Sequence, residues 1–344
     1  MKSVVINEST RFTGLGRYAY YLSKALDTSL FTLSLDSSIS SSNYEGKIFK
    51  PVPILKIGNG WYFYHRFPSI LLSKIRKQLE NEINSETILH YASQGIPHLN
   101  LHNRFLYTIH DLFGINPKYN SDMRIRKLTE LNLKQALLSE RIIAVSNHVK
   151  SELEKYGVSA KISSIYPPIS GSFRKIYDRD SAKKSLGLPN DKKLILSVSS
   201  EDPRKNLEAV IETMRLLGEG YSLVRVGKPI GECYSFSKID DEKLNMIYNA
   251  CDALLFPSLD EGFGFPLAEA MTAGLPVVAS DIEVFQEIAG NAAVLVEPVP
   301  EKLAKGVKDA IDNHDQFVER GNQMAQRYSF DRFKEQINVI YSQL

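Results

Sequence analysis

The stretch EGFGFPLAEAM, Glu261 to Met271, follows the apolar run DALLFPS at residues 252–258, and together they read as a buried strand, a glycine turn and the opening of a helix. Gly262 and Gly264 permit backbone angles and close approaches that a side chain would forbid. Pro266 suits the first helical position, where no amide donor is lost. The amides of such a turn suit a phosphate or sugar oxygen. Glu261 falls at the strand end and Glu269 near the first helical turn, which puts both carboxylates at the carboxyl edge of a sheet, where open α/β folds bind ligands. Hydroxyl pairs donate to paired carboxylates, so the ligand indicated is rich in both phosphate and diol. Either glutamate taken alone reads equally as an acid favoured by the helix dipole.

Outward from this stretch, the 344 residues exceed the usual size of one core and predict two α/β domains. No stretch approaches the roughly 18 apolar residues of a membrane span, and the start MKSVVINEST lacks a signal-peptide core, so a cytoplasmic protein is expected. Cys233 and Cys251 lack metal-ligand spacing, and neither a disulfide framework nor a metal site is expected. The net charge of +2 hides an asymmetry: residues 1–165 hold 21 basic against 13 acidic side chains, and the remainder 21 against 27. In the basic half, the run at 56–80 sets Trp61, Tyr62, Phe63, Tyr64 and Phe67 among Lys56, Arg66, Lys74, Arg76 and Lys77. It reads as a surface for anionic lipid or an acidic acceptor, peripheral at the inner face of a membrane, or as core beside a solvated basic helix.

Apolar runs alternate with amphipathic segments: a strand at Ser3–Ile6, a helix at Gly16–Leu26, strands at Phe31–Leu35 and Phe105–Ile109, a helix over 122–139, and a strand at Ile142–Val145 with Ser146 capping the next helix. A second series follows, with strands at Leu194–Ser197, Ser222–Val226, Ala253–Phe256 and Val277–Ser280. Helices are expected at Asn206–Leu217, Asp241–Ala250 and Pro266–Ala273. Such alternation predicts parallel sheets of βαβ units. IYPPISGSF at 165–173 is the linker candidate. The expected domains are 1–165 and 166–327, with 328–344 returning to the first.

Three further motifs carry chemistry. Gly14-Leu15-Gly16-Arg17-Tyr18-Ala19 matches the dinucleotide fingerprint, with Asp36 beyond it, but seven residues separate the strand from the glycines, whereas a dinucleotide turn follows its strand directly. The glycine pair then reads as a loop whose amides reach a phosphate, or as a helix cap. His110-Asp111 follows the strand FLYTI, where either side chain can orient a hydroxyl or trade a proton, or simply cap a loop. Arg204 and Lys205 open a helix, a position the dipole disfavours unless an anion sits nearby, and a diphosphate would be such an anion.

Read together, TGLGRYAYYLSKAL at 13–26, TIHDLF at 108–113, RIIAVSNHVKSEL at 141–153, EDPRKNL at 201–207, FPSLDEGFGFPLAEAM at 256–271, GLPVVASD at 274–281 and EIAGNAAVLVEP at 287–298 resemble the retaining glycosyltransferases of family four, in family order and over nearly the whole chain. The resemblance implies a GT-B architecture, α/β, with two Rossmann-like doubly wound domains facing a central cleft. It implies that Glu269 binds the ribose of a nucleotide sugar, Glu261 contacts the transferred sugar, and Arg204 with Lys205 holds the diphosphate. Gly14 and Gly16 would offer amides from the other domain, His110 and Asp111 would meet the sugar, and Gly262, Phe263, Gly264 and Phe265 would complete the donor cradle. The chain departs in two places. Ser199-Ser200 stands where many relatives carry Gly-Arg, so one diphosphate contact is either missing or supplied by Arg204, with Ser200 still counted among the donor-binding residues, and YPPIS with Ser170 stands where many carry an Asp.

The expected function is retaining transfer of a sugar from a nucleotide diphosphate sugar to an acceptor hydroxyl, saccharide or lipid-linked, with no metal and no cofactor. Two rivals use the same residues differently: a nicotinamide-dependent oxidoreductase on Gly14, Gly16 and Asp36, and a sugar-nucleotide-binding protein without turnover.

Overall fold

A computed structural model describes residues 2–9, 13–33, 47–49, 83–96, 98–99, 101–118, 122–155, 157 and 161–344. Asp36, the serine cluster at 37–42 and the aromatic and basic run at 56–80 lie outside the described residues. The chain divides into two compact units, Met1–Pro167 with Asp331–Leu344, and Pro168–Phe330.

The first unit is built on seven parallel strands, β1 (Ser3–Asn7), β2 (Ser29–Leu33), β3 (Lys47–Phe49), β4 (Ile88–Tyr91), β5 (Phe105–Ile109), β6 (Arg141–Ala144) and β7 (Ile162–Ser164), in the order β3-β2-β1-β4-β5-β6-β7. The second unit has six, β8 (Lys193–Val198), β9 (Tyr221–Val226), β10 (Tyr234–Phe236), β11 (Ala253–Phe256), β12 (Val277–Ser280) and β13 (Val294–Val296), in the order β10-β9-β8-β11-β12-β13. In each sheet the chain works outward in one direction, then returns and works outward in the other. The reversal lies between β1 and β4 in one unit and between β8 and β11 in the other. In open α/β sheets the carboxyl ends of the strands at such a reversal are where ligands bind.

The central strands bury every residue, as parallel strands covered on both faces must. Ile195, Val210, Leu223, Leu255, Val278, Leu303 and Val307 form one core of the second unit. In the first unit the helix Gly14–Ala25 turns Tyr18 and Leu22 inward, and Tyr18 meets Phe333 of the terminal segment edge-on at 5.7 Å. His90 of β4, fully buried, joins Tyr341 Oη at 3.0 Å and Thr108 Oγ1 at 2.9 Å.

Several boundaries move. The first helix begins at Gly14, where Thr13 caps it, two residues before the expected start, and the helix expected over 122–139 spans Met123–Ala136. Ser146 accepts from the Val149 amide at 3.1 Å. Among the described residues, no helix is long and apolar enough to cross a membrane.

Candidate functional site

The loop from β8 carries Arg204 and Lys205, but the helix they were expected to open starts later. Pro203–Lys205 is a separate 3-10 turn capped by Asp202, Asn206 lies at φ +52°, and only then does the helix Leu207–Leu217 begin. The two cations therefore escape the unfavourable end of that helix, and the anions they meet are carboxylates of the protein. Asp202 takes Arg204 Nε at 3.0 Å and Nη2 at 2.6 Å, a two-pronged pair. Burial works to raise the Asp202 carboxyl, and the bonds from Arg204 outweigh it, leaving the group below its usual value. Lys205 Nζ meets Glu261 Oε1 at 2.5 Å and stands 5.8 Å from the centre of the Phe256 ring. The Arg204 carbonyl accepts from the Leu259 amide at 2.7 Å, so the β8 loop is tied to the segment that leaves β11.

That segment delivers the two glutamates as the sequence spacing requires. Gly264 sits at φ +91° and forms the N-cap, so Phe265 is the first helical residue and Pro266 the second, one position later than expected. A Cβ at Gly264 would lie 2.7 Å from Phe285 Cε1, so both the backbone angle and the space demand glycine. Glu261 and Glu269 are 9% and 1% exposed. Tyr248, from the helix Asp241–Ala250, donates to Glu269 Oε2 at 2.9 Å, a partner the sequence did not signal. Phe263 is buried, edge-on to Phe265 at 5.2 Å and Tyr328 at 5.5 Å, and Gly262 is buried beside it. Ser200 is exposed at the mouth of the β8 loop.

In the first unit, His110 follows β5 and is 6% exposed. Its Nε2 lies 2.8 Å from the Ala92 carbonyl, which can only accept, so Nε2 carries the proton and Nδ1 is left with a lone pair. Burial pulls the imidazole down to about 4, with the bond to Ala92 opposing, so the ring is neutral near pH 7. His110 thus presents an acceptor for a hydroxyl rather than a charge. Asp111 accepts the Phe113 amide at 3.3 Å, as a loop cap does. Gly14 begins its helix, and the Gly16 amide donates to Thr13 Oγ1 at 3.1 Å, a bond that a diphosphate oxygen would have to replace.

Sequence reasoning missed two residues here. Gln94, after β4, receives the His110 amide on Oε1 at 3.0 Å and donates Nε2 to the Asp111 carbonyl at 3.1 Å, fixing the backbone that aims both side chains. Glu8, just beyond β1, accepts from Ser93 Oγ at 2.6 Å, and burial raises its carboxyl above the usual value against that bond. Neither belongs to a motif; both sit at the strand reversal, which a sequence cannot display.

Two family models match the chain: Glycosyltransferase Family 4 over residues 12–172 and Glycosyl transferases group 1 over residues 178–327. Among curated proteins it is 29% identical to the O-antigen chain mannosyltransferase RfbU of Salmonella typhimurium, over 67% of each chain. It is 27% identical to the serotype-specific mannosyltransferase WbdA of Escherichia coli, across 59% of this chain and 28% of that one. Among solved structures, sucrose-phosphate synthase from Thermosynechococcus elongatus superposes with a TM-score of 0.80 at 17% identity, covering 100% of this chain and 99% of the other. Anabaena HepE, solved with UDP and glucose, gives 0.80 at 17% identity, covering 100% of both.

Proposed function

The chain belongs to the group 1, family-four glycosyltransferases, and from that premise we propose that it transfers mannose from a nucleoside diphosphate mannose to a hydroxyl of a growing glycan, with retained anomeric configuration and no metal. The observation that carries this reading is the pairing of Lys205 with Glu261, on the loop that follows β8 and at the end of the segment that follows β11, with Glu269 on the same helix opening. Carboxylates suit the ribose diol and the sugar hydroxyls. Lys205 and Arg204 suit the diphosphate, whose charge grows as the glycosidic bond breaks. A group already in place for that charge lowers the barrier without reorganising.

Retention fits the carboxylate chemistry. Glu261 is held by an ammonium at 2.5 Å and so is a poor candidate to attack the anomeric carbon. Attack by the acceptor on the face the leaving group departs from, with a phosphate oxygen taking the acceptor proton, needs no protein nucleophile. His110, neutral with Nδ1 unprotonated, accepts a hydroxyl of the substrate and orients it. The mannosyltransferase relatives support mannose as the sugar, and the basic balance of residues 1–165 supports an acceptor presented on an anionic, lipid-linked carrier.

The test is donor hydrolysis in the presence of a chelator, read as nucleoside diphosphate released from UDP-, GDP-, ADP- and TDP-sugars. Release from one mannose donor is expected. Release from none of them, with uptake of a nicotinamide dinucleotide, would transfer the reading to Gly14 and Gly16.

A further inference from the structure

Arg225 lies inside β9 and is fully buried, an uncommon place for a guanidinium. Its partners are neutral. Nη1 donates to the carbonyls of Ser197 and Val226, both at 3.2 Å, and to Ser197 Oγ at 3.4 Å; Nη2 donates to the Ser199 carbonyl at 2.6 Å and the Ser200 carbonyl at 3.5 Å. Among the described residues, no carboxylate lies within ion-pair distance of it, and nearby Glu201 is taken by Lys228. Burial pulls the Arg225 pKa down while Cys233 and Glu201 oppose the shift, and a guanidinium keeps its charge in proteins. Gly227, at φ +140°, keeps the space open: a Cβ there would come within 2.5 Å of the Ser199 carbonyl and 3.0 Å of Arg225 Nη2.

The charge balance of the loop makes this arginine informative. Arg204 is paired with Asp202 and Lys205 with Glu261, so each brings a carboxylate along with its cation. Arg225 brings none. It also sets the loop's polarity, because a planar trans peptide points its N–H opposite to its C=O. Carbonyls of Ser199 and Ser200 drawn toward Arg225 turn the amides of Ser200 and Glu201 the other way, at the carboxyl end of β8.

We propose that Arg225 is a positioning residue for the donor diphosphate. From beneath the loop it adds to Arg204 and Lys205 a positive charge that no paired carboxylate offsets, and it turns two backbone amides toward the phosphates. This rests on the nucleotide-sugar reading of the same loop.

The test compares affinity for the cognate nucleoside diphosphate and for the bare nucleoside, by calorimetry, in the parent, Arg225→Met, Arg225→Gln and Arg225→Lys, with thermal unfolding beside it. In Arg225→Met the diphosphate affinity should fall about tenfold or more while the nucleoside affinity holds within about twofold, and Arg225→Lys should recover most of the loss. A purely structural arginine would lower the melting temperature and leave the diphosphate-to-nucleoside ratio unchanged; that result overturns the proposal. Should Arg225→Met fail to fold, Arg225→Gln carries the same comparison, since its amide still donates to the loop carbonyls without the charge. A parent that binds no nucleoside diphosphate at all would instead overturn the nucleotide-sugar reading.

Discussion

In the proposed reaction the chemistry turns on Lys205 and Glu261, and their pairing makes each one's removal informative. Lys205→Ala removes a cation from the developing diphosphate charge and frees a buried carboxylate, so turnover should drop about 100-fold or more. A folded Lys205→Ala protein with near-normal turnover would end that assignment. Glu269→Ala should act on binding instead, raising the Kd for nucleoside diphosphate by about tenfold or more through the loss of charge-assisted bonds to a diol. Tyr248→Phe, which removes the donor to Glu269 Oε2, should give a smaller change in the same direction. Competition binding with the free nucleoside diphosphate checks both. That Glu261 follows a buried strand and Glu269 lies on the helix opening was legible from their spacing. The contacts of Gln94, Glu8 and Tyr248 were not, because strand order or a neighbouring helix within its own unit brings each to its partner, and neither has a sequence period.

At the scale of elements, glycine turns and caps decide where helices begin. Gly264 serves both as a left-handed N-cap and as the space in front of Phe285. Gly264→Ala should cost about 1–3 kcal/mol in urea unfolding and weaken donor binding as well, because Glu269 rides on the helix that Gly264 opens. Unchanged stability would show that the turn is set by something else. The strands at Phe105–Ile109, Ala253–Phe256 and Val277–Ser280 and the helix at Asp241–Ala250 could be read to the residue, since each is an apolar or amphipathic run with a clear stop. The strand Ile88–Tyr91 was missed. It is four residues long and carries His90, which looks polar in the sequence and is a fully buried, doubly bonded side chain in the fold. Arg204 and Lys205 were read as a helix start because the sequence shows Pro203 but not that Asn206 adopts a left-handed turn.

For the molecule as a whole, two buried histidines couple the fold to acidity. Burial lowers His90 to about 3, helped by His110, and His110 to about 4. An unfolded chain protonates both near 6.5, so their contribution is intact above that value and is lost as pH falls toward 4, at about 1.4 kcal/mol per pH unit for each refused proton. Urea unfolding at pH 7, 6, 5 and 4.5 should show that decline, and His90→Gln should make it shallower; a flat profile would contradict the buried neutral rings. The excess of basic residues before residue 166 belongs to this scale too. Sedimentation with anionic vesicles at low salt should exceed that with neutral ones and fall with salt and with Arg76→Glu and Lys77→Glu, and equal sedimentation would favour a soluble acceptor. Proton NMR of the sugar released from an α-linked nucleoside diphosphate mannose, read before the anomers interconvert, tests the proposed retaining transfer. Early accumulation of the α-anomer is the expected result. Early accumulation of the β-anomer, or no sugar released from any mannose donor, would contradict it.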